Sequence, residues 1–412
     1  MNKKLKLDGE FNKALPVLNK IVEAGFEAYF VGGSVRDRVL GLTVNDVDIA
    51  TSAMPNEIKE IFKRTIDIGI EHGTVMVLEN GESYEITTFR TESTYKDFRH
   101  PDSVTFVRSL TEDLMRRDFT MNAIAMDIKG NLIDPFGGLL DIDKRIIRAV
   151  GKPEERFQED ALRMMRAVRF AAQLDFEIEG NTLLSIRQNA QLLTNIAIER
   201  IQVEFEKLLT GEWYFVGLAA MIKTDLYLYC PKLADKKQAL LTLIDRSTSF
   251  QNVRQAWAYL LLKIDEHQMD QSFNPRTFLK AWKLSNQLIK ESITIYEALV
   301  IRLERGYLNE WEIFHLGIQF SLEVEDLMEQ EGLKQEHLLV LERYDNLPIK
   351  EKEELSVSGN DLMKETTVRP GKWMSEALES ALKAVIYRKI DNEKQTIILW
   401  LKENNYIPGL ND

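Results

Sequence analysis

The sequence predicts an α+β protein, in which a mixed α/β head is followed by an all-helical remainder. Up to about residue 150, short apolar runs rich in branched and aromatic residues alternate with helix-like segments. After Pro153, nearly every segment has apolar residues at helical spacing, interrupted by breaking residues such as Gly180 and Pro275. With 412 residues, of which 44% are hydrophobic, the chain can form roughly two to four units that each bury a core.

The elements of the head follow from its apolar runs. Helices are predicted over residues 11–24 and 56–62. Between two of the strands, the polar segment 91–103 contains a proline and is predicted to be a mobile loop beside the active site. Strands are predicted over residues 28–31, 47–50, 74–78, 83–89 and 123–126.

Charge and cysteine content narrow the class of protein. The net charge of −12 disfavours a protein that coats nucleic acid by bulk electrostatics, so RNA binding would need a local basic face. No stretch approaches roughly 18 consecutive apolar residues, which predicts no membrane span. The single cysteine, Cys230, cannot form an internal disulfide. A reducing, cytoplasmic location therefore fits the sequence best. One stretch offers a basic face: Lys144, Arg145, Arg148, Lys152, Arg163, Arg166 and Arg169.

A glycine pair stands where a strand should turn into a helix. Gly32 and Gly33 allow the backbone to approach a ligand closely, and the new helix would present free N–H groups to phosphate. Arg36, one turn into that helix, would add a positive charge. A Gly-Gly turn alone is equally typical of a connection that binds nothing.

Two carboxylates follow on the next predicted strand. Asp46 and Asp48 are two residues apart and would point to the same face, while Val47 faces the core. Adjacent carboxylates repel one another unless a cation binds them, and Mg²⁺ is the natural partner of such oxygen ligands. Glu85, on a neighbouring strand, is a candidate third ligand. The carboxylate pair alone is more typical of a solvated turn, but a glycine turn a dozen residues earlier favours a nucleotide site.

The ordered motifs of the chain resemble those of class II tRNA nucleotidyltransferases of the Gram-positive bacterial type. The resemblance spans about half the chain, from residue 31 to residue 206, and extends more weakly towards the C-terminus. The motifs are VGGSVRD (31–37) with DVD (46–48), RRDFTMNA (116–123), DPFGG (134–138), EDALRMMRAVRF (159–170), IAIERIQVEFE (196–206) and LSVSGNDL (355–362).

The resemblance implies a polymerase-β-like nucleotidyltransferase head with a mixed sheet, followed by all-α neck, body and tail domains. It implies an enzyme that adds or repairs the 3′-terminal CCA of tRNA from CTP and ATP, by two-metal phosphoryl transfer with release of pyrophosphate. A homodimer is one option that the sequence leaves open. The expected domains are the head (1–150), a base-selecting neck (151–212), a body (213–300) and a tRNA-binding tail (301–412).

Site residues are carried over position by position from the resemblance. Asp46 and Asp48 would be catalytic and bind the metals. Gly33 and Arg36 would lie at the nucleotide triphosphate. In the RRDFTMN motif, Arg117 would contact the nucleotide, and Asp118 with Asn122 would favour ribose over deoxyribose.

Base selection is expected on the helix that begins near Pro153. Asp160, Arg163, Arg166 and Arg169 recur every three residues and would form a stripe along one side. Cytosine and adenine both present an amino donor beside an unprotonated ring nitrogen. The carboxylate of Asp160 and the guanidinium of Arg163 would therefore bind both of these bases and disfavour uracil and guanine. The resemblance implies the same role. Taken alone, such a stripe is more often a solvated face.

Other readings remain open. A bacterial poly(A) polymerase shares the head motifs, although this chain lacks a strongly basic tail. An enzyme that adds only A is a second alternative. A non-catalytic RNA-binding relative would be expected to have lost Asp46 or Asp48, and both are present. In the loop, the sequence around His100 departs from the doubled basic residue common in the family, so its role stays open.

Overall fold

A computed structural model describes residues 4–69, 73–92, 104–245, 248–267 and 273–409, apart from the side chains of Glu92 and Val104. The chain divides into two compact units. The first contains the residues up to Phe250 together with Lys280–Lys283, and the second contains Gln251–Leu279 and the chain from Leu284 onward. No helix in the described ranges is long and apolar enough to cross a membrane. Most of the predicted loop 91–103, including His100, lies outside the described residues.

A seven-stranded mixed sheet forms the centre of the first unit, in the order β3-β4-β5-β2-β1-β8-β9. Strands β2 and β5 pair in parallel, and the other neighbours pair antiparallel. Two small sheets join β6 with β7 and β10 with β11. The strands are β1 (Ala28–Val31), β2 (Asp48–Thr51), β3 (Thr65–Gly69), β4 (Thr74–Glu79), β5 (Glu82–Thr88), β6 (Arg90–Glu92), β7 (Val104–Phe106), β8 (Ala125–Met126), β9 (Leu132–Ile133), β10 (Ile146–Ile147) and β11 (Glu177–Ile178).

In its described residues, the first unit has helices α1 to α11, which pack on the sheet or follow it in the chain. α1 buries an apolar stripe that includes Phe11, whose ring meets Phe30 of β1 edge to face at 4.9 Å. Leu110 and Leu114 of α4 pack on the same core as Val31 and Phe89. The helices are α1 (Glu10–Glu23), α2 (Gly33–Leu40), α3 (Pro55–Ile61), α4 (Leu110–Met115), α5 (Gly138–Asp143), α6 (Pro153–Glu159), α7 (Leu162–Leu174), α8 (Gly180–Asn189), α9 (Ile198–Leu209), α10 (Tyr214–Lys223) and α11 (Lys237–Ile244).

The second unit is helical throughout its described residues. Arg302 and Glu325 form a buried ion pair within it, with Nε to Oε1 at 2.6 Å. Gly317 has φ 68° and ψ 170°, which breaks α15 into two helical pieces. Its helices are α12 (Val253–Glu266), α13 (Pro275–Ala281, whose last residues belong to the first unit), α14 (Asn286–Arg305), α15 (Glu310–Met328), α16 (His337–Asp345), α17 (Gly359–Leu362), α18 (Lys372–Ile386) and α19 (Lys394–Glu403).

The α+β prediction is confirmed, with three local corrections. β2 begins at Asp48, so Asp46 lies in the extended segment before the strand and not on it. The helix predicted from Pro153 is two helices, because the chain leaves the helical conformation at Asp160. The predicted all-helical part contains one short strand, β11, which pairs with β10. The division into head, neck, body and tail stays a prediction.

Candidate active site

One cavity of about 490 Å³ in the first unit brings the predicted nucleotide-binding residues together. It lies where the turn after β1, the start of β2 and the helix α7 meet. Every residue predicted to bind nucleotide lines it, and so does Asp48. The lining residues are Gly32, Gly33, Arg36, Asp48, Arg116, Arg117, Asp118, Asn122, Asp160, Arg163, Arg166, Arg169 and Phe170.

The turn between β1 and α2 has a conformation that requires glycine. Gly32 has φ 76° and ψ −137°, a backbone conformation that residues other than glycine rarely adopt. A Cβ at Gly32 would lie 2.8 Å from Nη1 of Arg117. α2 begins at Gly33, so its first backbone N–H groups and its positive dipole end face the cavity. The glycine turn therefore gives space to Arg117 and exposes backbone donors suited to phosphate.

We expect Gly32→Ala to weaken nucleotide binding by at least about tenfold, because a new Cβ would displace the Arg117 guanidinium. Gly41 is a useful control, since it also has a positive φ of 75° but no atom would lie within 4 Å of its Cβ. Gly41→Ala should cost about 1 kcal/mol of stability and leave nucleotide affinity unchanged. Isothermal titration calorimetry with both variants measures the difference, and equal affinities would contradict the role given to the turn.

Asp46 and Asp48 form an exposed carboxylate pair beside this turn. Val47, between them, is 8% exposed, so the two acidic side chains share the opposite face of the extended chain. Asp48 pairs with Val31, the last residue before the glycines. Desolvation by the surrounding protein raises the pKa of Asp48, and Asp46 adds to this, while Arg117 acts in the opposite direction. The ionised pair therefore favours a bound cation.

Glu85 is not assembled with the pair into one cluster. It is exposed on β5. Ile49 of β2 pairs with Ile86 of β5 in parallel register. Glu85 is the residue immediately before this first pair. Nevertheless, no group of three or more His, Cys, Asp or Glu side chains within the described ranges could hold a metal ion. The metal site at Asp46 and Asp48, with Glu85 as a third ligand, stays a prediction.

Asp118 organises the middle of the cavity. Its Oδ1 accepts hydrogen bonds from the Phe119 N–H at 2.8 Å and from Asn122 Nδ2 at 3.0 Å. Its Oδ2 accepts from Nε and Nη2 of Arg166 at 2.8 and 2.6 Å. Burial acts to raise the pKa of Asp118, but Arg166 and these hydrogen bonds outweigh it and hold the pKa below its usual range. Asp118 is therefore an ionised anchor that orients Asn122 and Arg166.

Three arginines surround the ring of Phe170. The guanidinium carbons of Arg169, Arg36 and Arg166 lie 3.8, 4.9 and 5.4 Å from the ring centroid. Such cation–π contacts stabilise positive charge where water is partly excluded. Arg36 also donates Nη1 to Asn122 Oδ1 at 2.7 Å. The ring thus gathers cations from two distant segments at one wall of the cavity.

Glu204 neutralises part of this charge from α9. Its Oε2 accepts from Arg169 Nε at 2.5 Å, and its Oε1 lies 3.9 Å from Arg166 Nη1. Neither Glu204 nor Phe170 was predicted as a site residue. Both occur in the motifs given above. The three-residue spacing of arginines is the signal that could have identified them, because so many cations near α7 require an acidic partner and a nonpolar surface to pack on.

Asp160 and Arg163 occupy the other end of the cavity, in a geometry that differs from one helical stripe. Asp160 ends α6 with φ −138° and ψ 102°. Its Oδ1 accepts from the Leu162 N–H at 3.0 Å, as aspartate commonly does at a helix start, where backbone N–H groups lack partners. Its Oδ2 accepts from Arg200 Nη2 at 2.8 Å. Asp160 is thus fixed by α7 and by α9, and Arg200 is a contact that the spacing did not predict.

Arg163, in the first turn of α7, is held on several sides. Nη1 donates to Glu159 Oε2 at 2.6 Å and to the Arg156 carbonyl at 3.2 Å. Nη2 donates to the Arg116 carbonyl at 2.9 Å. Because both terminal nitrogens are anchored, the Arg163 guanidinium has a fixed position in the lining of the cavity. Asp160 and Arg163 together form a rigid pair of one acceptor group and one donor group.

Family models match three parts of the chain. The model described as the poly A polymerase head domain matches residues 28–148. That of the RNA and SrmB-binding site of polymerase A matches residues 175–237, and that of tRNA nucleotidyltransferase domain 2 matches residues 248–401. The first match contains the glycine turn, the carboxylate pair and Asp118.

Whole-chain relatives extend the comparison. The CCA-adding enzyme of Ligilactobacillus salivarius is 50% identical over 94% of this chain and 95% of its own length. That of Enterococcus faecalis is 46% identical, covering 96% and 97%. The crystal structure of the Bacillus stearothermophilus CCA-adding enzyme in complex with CTP superposes with a TM-score of 0.89 at 42% identity, covering 97% of this chain and 98% of that one. With such similarity along its whole length, the chain belongs to the CCA-adding enzymes, a family of nucleotidyltransferases.

Proposed function

We propose that this protein completes and repairs the 3′-terminal CCA of tRNA, using CTP and ATP and releasing pyrophosphate. One observation carries the proposal: a single cavity is lined by the glycine turn, by Asp48 and by the pair Asp160 and Arg163. The turn selects a nucleotide, the carboxylate provides the site of reaction, and the pair selects the base.

The carboxylate pair is the proposed metal site. Nucleotidyltransferases of this family generally use a divalent metal ion, and we propose Mg²⁺, held by Asp46 and Asp48. The donor set fits, since both carboxylates are exposed and carboxylate oxygens are the ligands that Mg²⁺ prefers. When bound, Mg²⁺ lowers the pKa of the attacking hydroxyl and neutralises the leaving pyrophosphate.

Protein groups would bind the phosphates and the sugar. The backbone N–H of Gly33, at the start of α2, and the side chains of Arg36 and Arg117 supply donors and positive charge at the triphosphate. Asn122 is fixed by Arg36 and by Asp118. Its amide and the Asp118 carboxylate are polar groups suited to a ribose hydroxyl, which deoxyribose lacks.

Base selection follows from Asp160 and Arg163. The carboxylate accepts from the exocyclic amino group of cytosine or adenine, and the guanidinium donates to the neighbouring ring nitrogen. Uracil and guanine would set a carbonyl against the carboxylate and an N–H against the guanidinium. Each buried polar group left without its partner costs roughly 1–3 kcal/mol. Arg166 and Arg169, fixed by Asp118 and Glu204, complete the positive wall beside the nucleotide.

The RNA partner would be tRNA, held by the helical part of the chain. We retain the division into head (1–150), neck (151–212), body (213–300) and tail (301–412) as part of this proposal. Support comes from the tRNA nucleotidyltransferase model over residues 248–401. Because tRNA matures and is used in the cytoplasm, we propose that the enzyme acts there. A homodimer stays an open option.

Defined tRNA transcripts test the activity. We expect transcripts ending before CC, after C and after CC to be extended to CCA with CTP and ATP, and extension to stop at the final A. UTP and GTP should not be incorporated at comparable rates. Denaturing gel electrophoresis with single-nucleotide resolution measures each step. A transcript already ending in CCA is the control and should remain unchanged.

The same assay separates the two enzyme alternatives. A poly(A) polymerase, whose head domain model matches residues 28–148, would extend RNA with many adenylates from ATP alone. An enzyme that adds only A would extend the transcript ending in CC and leave the one ending before CC unextended. Either result would contradict the proposed function.

A further inference from the structure

A buried carboxylate lies directly behind the cavity and is not part of its lining. Asp113 belongs to α4 and is 1% exposed. Leu110 and Leu114 of the same helix fix α4 on the apolar core beneath the sheet. An ionised group at this depth is costly unless it is paired and hydrogen-bonded. Its partners therefore indicate what it holds in place.

Asp113 accepts hydrogen bonds from three residues. Arg116 donates Nε and Nη2 to Oδ1 at 3.0 and 2.8 Å. Arg117 donates Nη2 to Oδ2 at 3.3 Å, and the backbone N–H of Arg90, at the start of β6, donates to Oδ1 at 3.4 Å. Burial acts to raise the pKa of Asp113, but Arg116 and Arg117 outweigh it and lower the pKa overall. The carboxylate is thus a fixed anion between α4, β6 and the two arginines.

The other side of Arg117 faces the glycine turn. Its Nη1 lies 2.8 Å from the position that a Cβ would take at Gly32. Its Nε is buried and has no hydrogen-bond partner within the described part of the chain. The guanidinium therefore reaches Asp113 with one terminal nitrogen and directs another towards the turn. Arg117 Nη1, on the side of the turn, is the donor from which a bound phosphate oxygen would accept a hydrogen bond.

We propose that Asp113 is a positioning residue for nucleotide binding, which holds the Arg117 guanidinium against the glycine turn so that it can bind the phosphates of the incoming nucleotide. This inference rests on the proposed function, since it assigns Arg117 to the triphosphate. Asp113 does not line the cavity and acts through Arg117. A free arginine side chain loses considerable rotamer entropy on binding, and an ion pair that fixes it beforehand reduces that loss.

The test compares Asp113→Asn with Glu112→Gln in the full-length protein. Glu112 is the neighbouring residue on α4 and is exposed, so its variant removes an equal charge from the same helix. Calorimetry would measure binding of tripolyphosphate and, separately, of cytidine, which has no phosphate. We expect Asp113→Asn to weaken tripolyphosphate binding at least about tenfold and to change cytidine binding less than about twofold. Glu112→Gln should change neither.

A double-mutant cycle shows whether the effect passes through Arg117. In an Arg117→Gln background, Asp113→Asn should weaken tripolyphosphate binding less than about twofold further. Additive losses, or an equal loss of cytidine binding, would overturn the proposal. Asp113→Glu keeps the charge but moves the carboxylate by one methylene, and should give a smaller loss confined to tripolyphosphate. It supplies the test where Asp113→Asn does not fold.

Turnover gives a second readout. With tRNA lacking CCA, Asp113→Asn should raise KM for CTP about tenfold while kcat changes less than about threefold, because the phosphates are held alike in the ground and transition states. A fall in kcat with an unchanged KM would overturn the proposal. Absence of CCA addition by the unaltered protein would instead contradict the proposed function, and the tripolyphosphate measurements would still test Asp113.

Discussion

Replacing Asp48 with asparagine should lower kcat for both CTP and ATP by at least about a thousandfold, with tRNA affinity unchanged within about threefold. The change removes a negative charge from the proposed metal pair and keeps the shape of the side chain. Loss of metal binding at that position removes several kcal/mol of transition-state stabilisation, and each 1.4 kcal/mol is about tenfold in rate. Single-turnover incorporation of labelled nucleotide measures kcat, and filter binding measures tRNA affinity.

Stability separates this loss from unfolding. Because the folded protein raises the pKa of Asp48 above its ordinary value, the ionised carboxylate disfavours folding at neutral pH in the absence of a cation. Asp48→Asn should therefore have an equal or higher melting temperature without metal. Asp67 offers a matched control, since it is an exposed aspartate on β3, separated from β2 by two strands. Asp67→Asn should retain full turnover, and undiminished turnover in Asp48→Asn would contradict the metal assignment.

Asp160→Asn should relax base choice, lowering the preference for CTP over UTP by about a hundredfold in kcat/KM. An amide can donate to the carbonyl of uracil, whereas a carboxylate repels it, and two mismatched polar groups account for a change of this size. The asparagine carbonyl oxygen can still accept from the Leu162 N–H, so the start of α7 should remain intact. Competition between labelled CTP and UTP on tRNA lacking CCA measures the ratio.

Asp175 provides the control for this variant at the other end of α7. It is a C-terminal capping residue with φ 55°, a conformation that asparagine accepts readily. Asp175→Asn should leave the ratio of CTP to UTP unchanged. If Asp160→Asn kept the preference for CTP of the unaltered protein, the selection by Asp160 and Arg163 would be wrong.

Much of the head could be predicted from sequence because its signals are local. Apolar runs indicate the strands around the glycine turn within one or two residues, and the residues predicted to bind nucleotide line one cavity together with Asp48. The break at Asp160 was missed, since three-residue spacing suits a continuous helix equally well. Only the contacts of its carboxylate with the Leu162 N–H and Arg200 distinguish the two cases.

The residues that support the site could not be predicted for another reason. Asp113, Glu204 and Arg200 act by contacts with residues 4, 35 and 40 positions away, respectively. For Glu204 and Arg200, such contacts depend on how α7 packs against α9, which periodicity does not report. Asp113 is close in sequence to Arg117, but its burial against the core could not be predicted, because a single acidic residue on a short helix is ordinarily exposed.

All the residues that line the cavity lie between Gly32 and Phe170 in the first unit. In evolutionary terms, the lining of the cavity is encoded by one continuous stretch of the gene, whereas Arg200 and Glu204, which contact that lining, lie beyond it. Substitutions in the second unit therefore leave the residues that line the cavity unchanged.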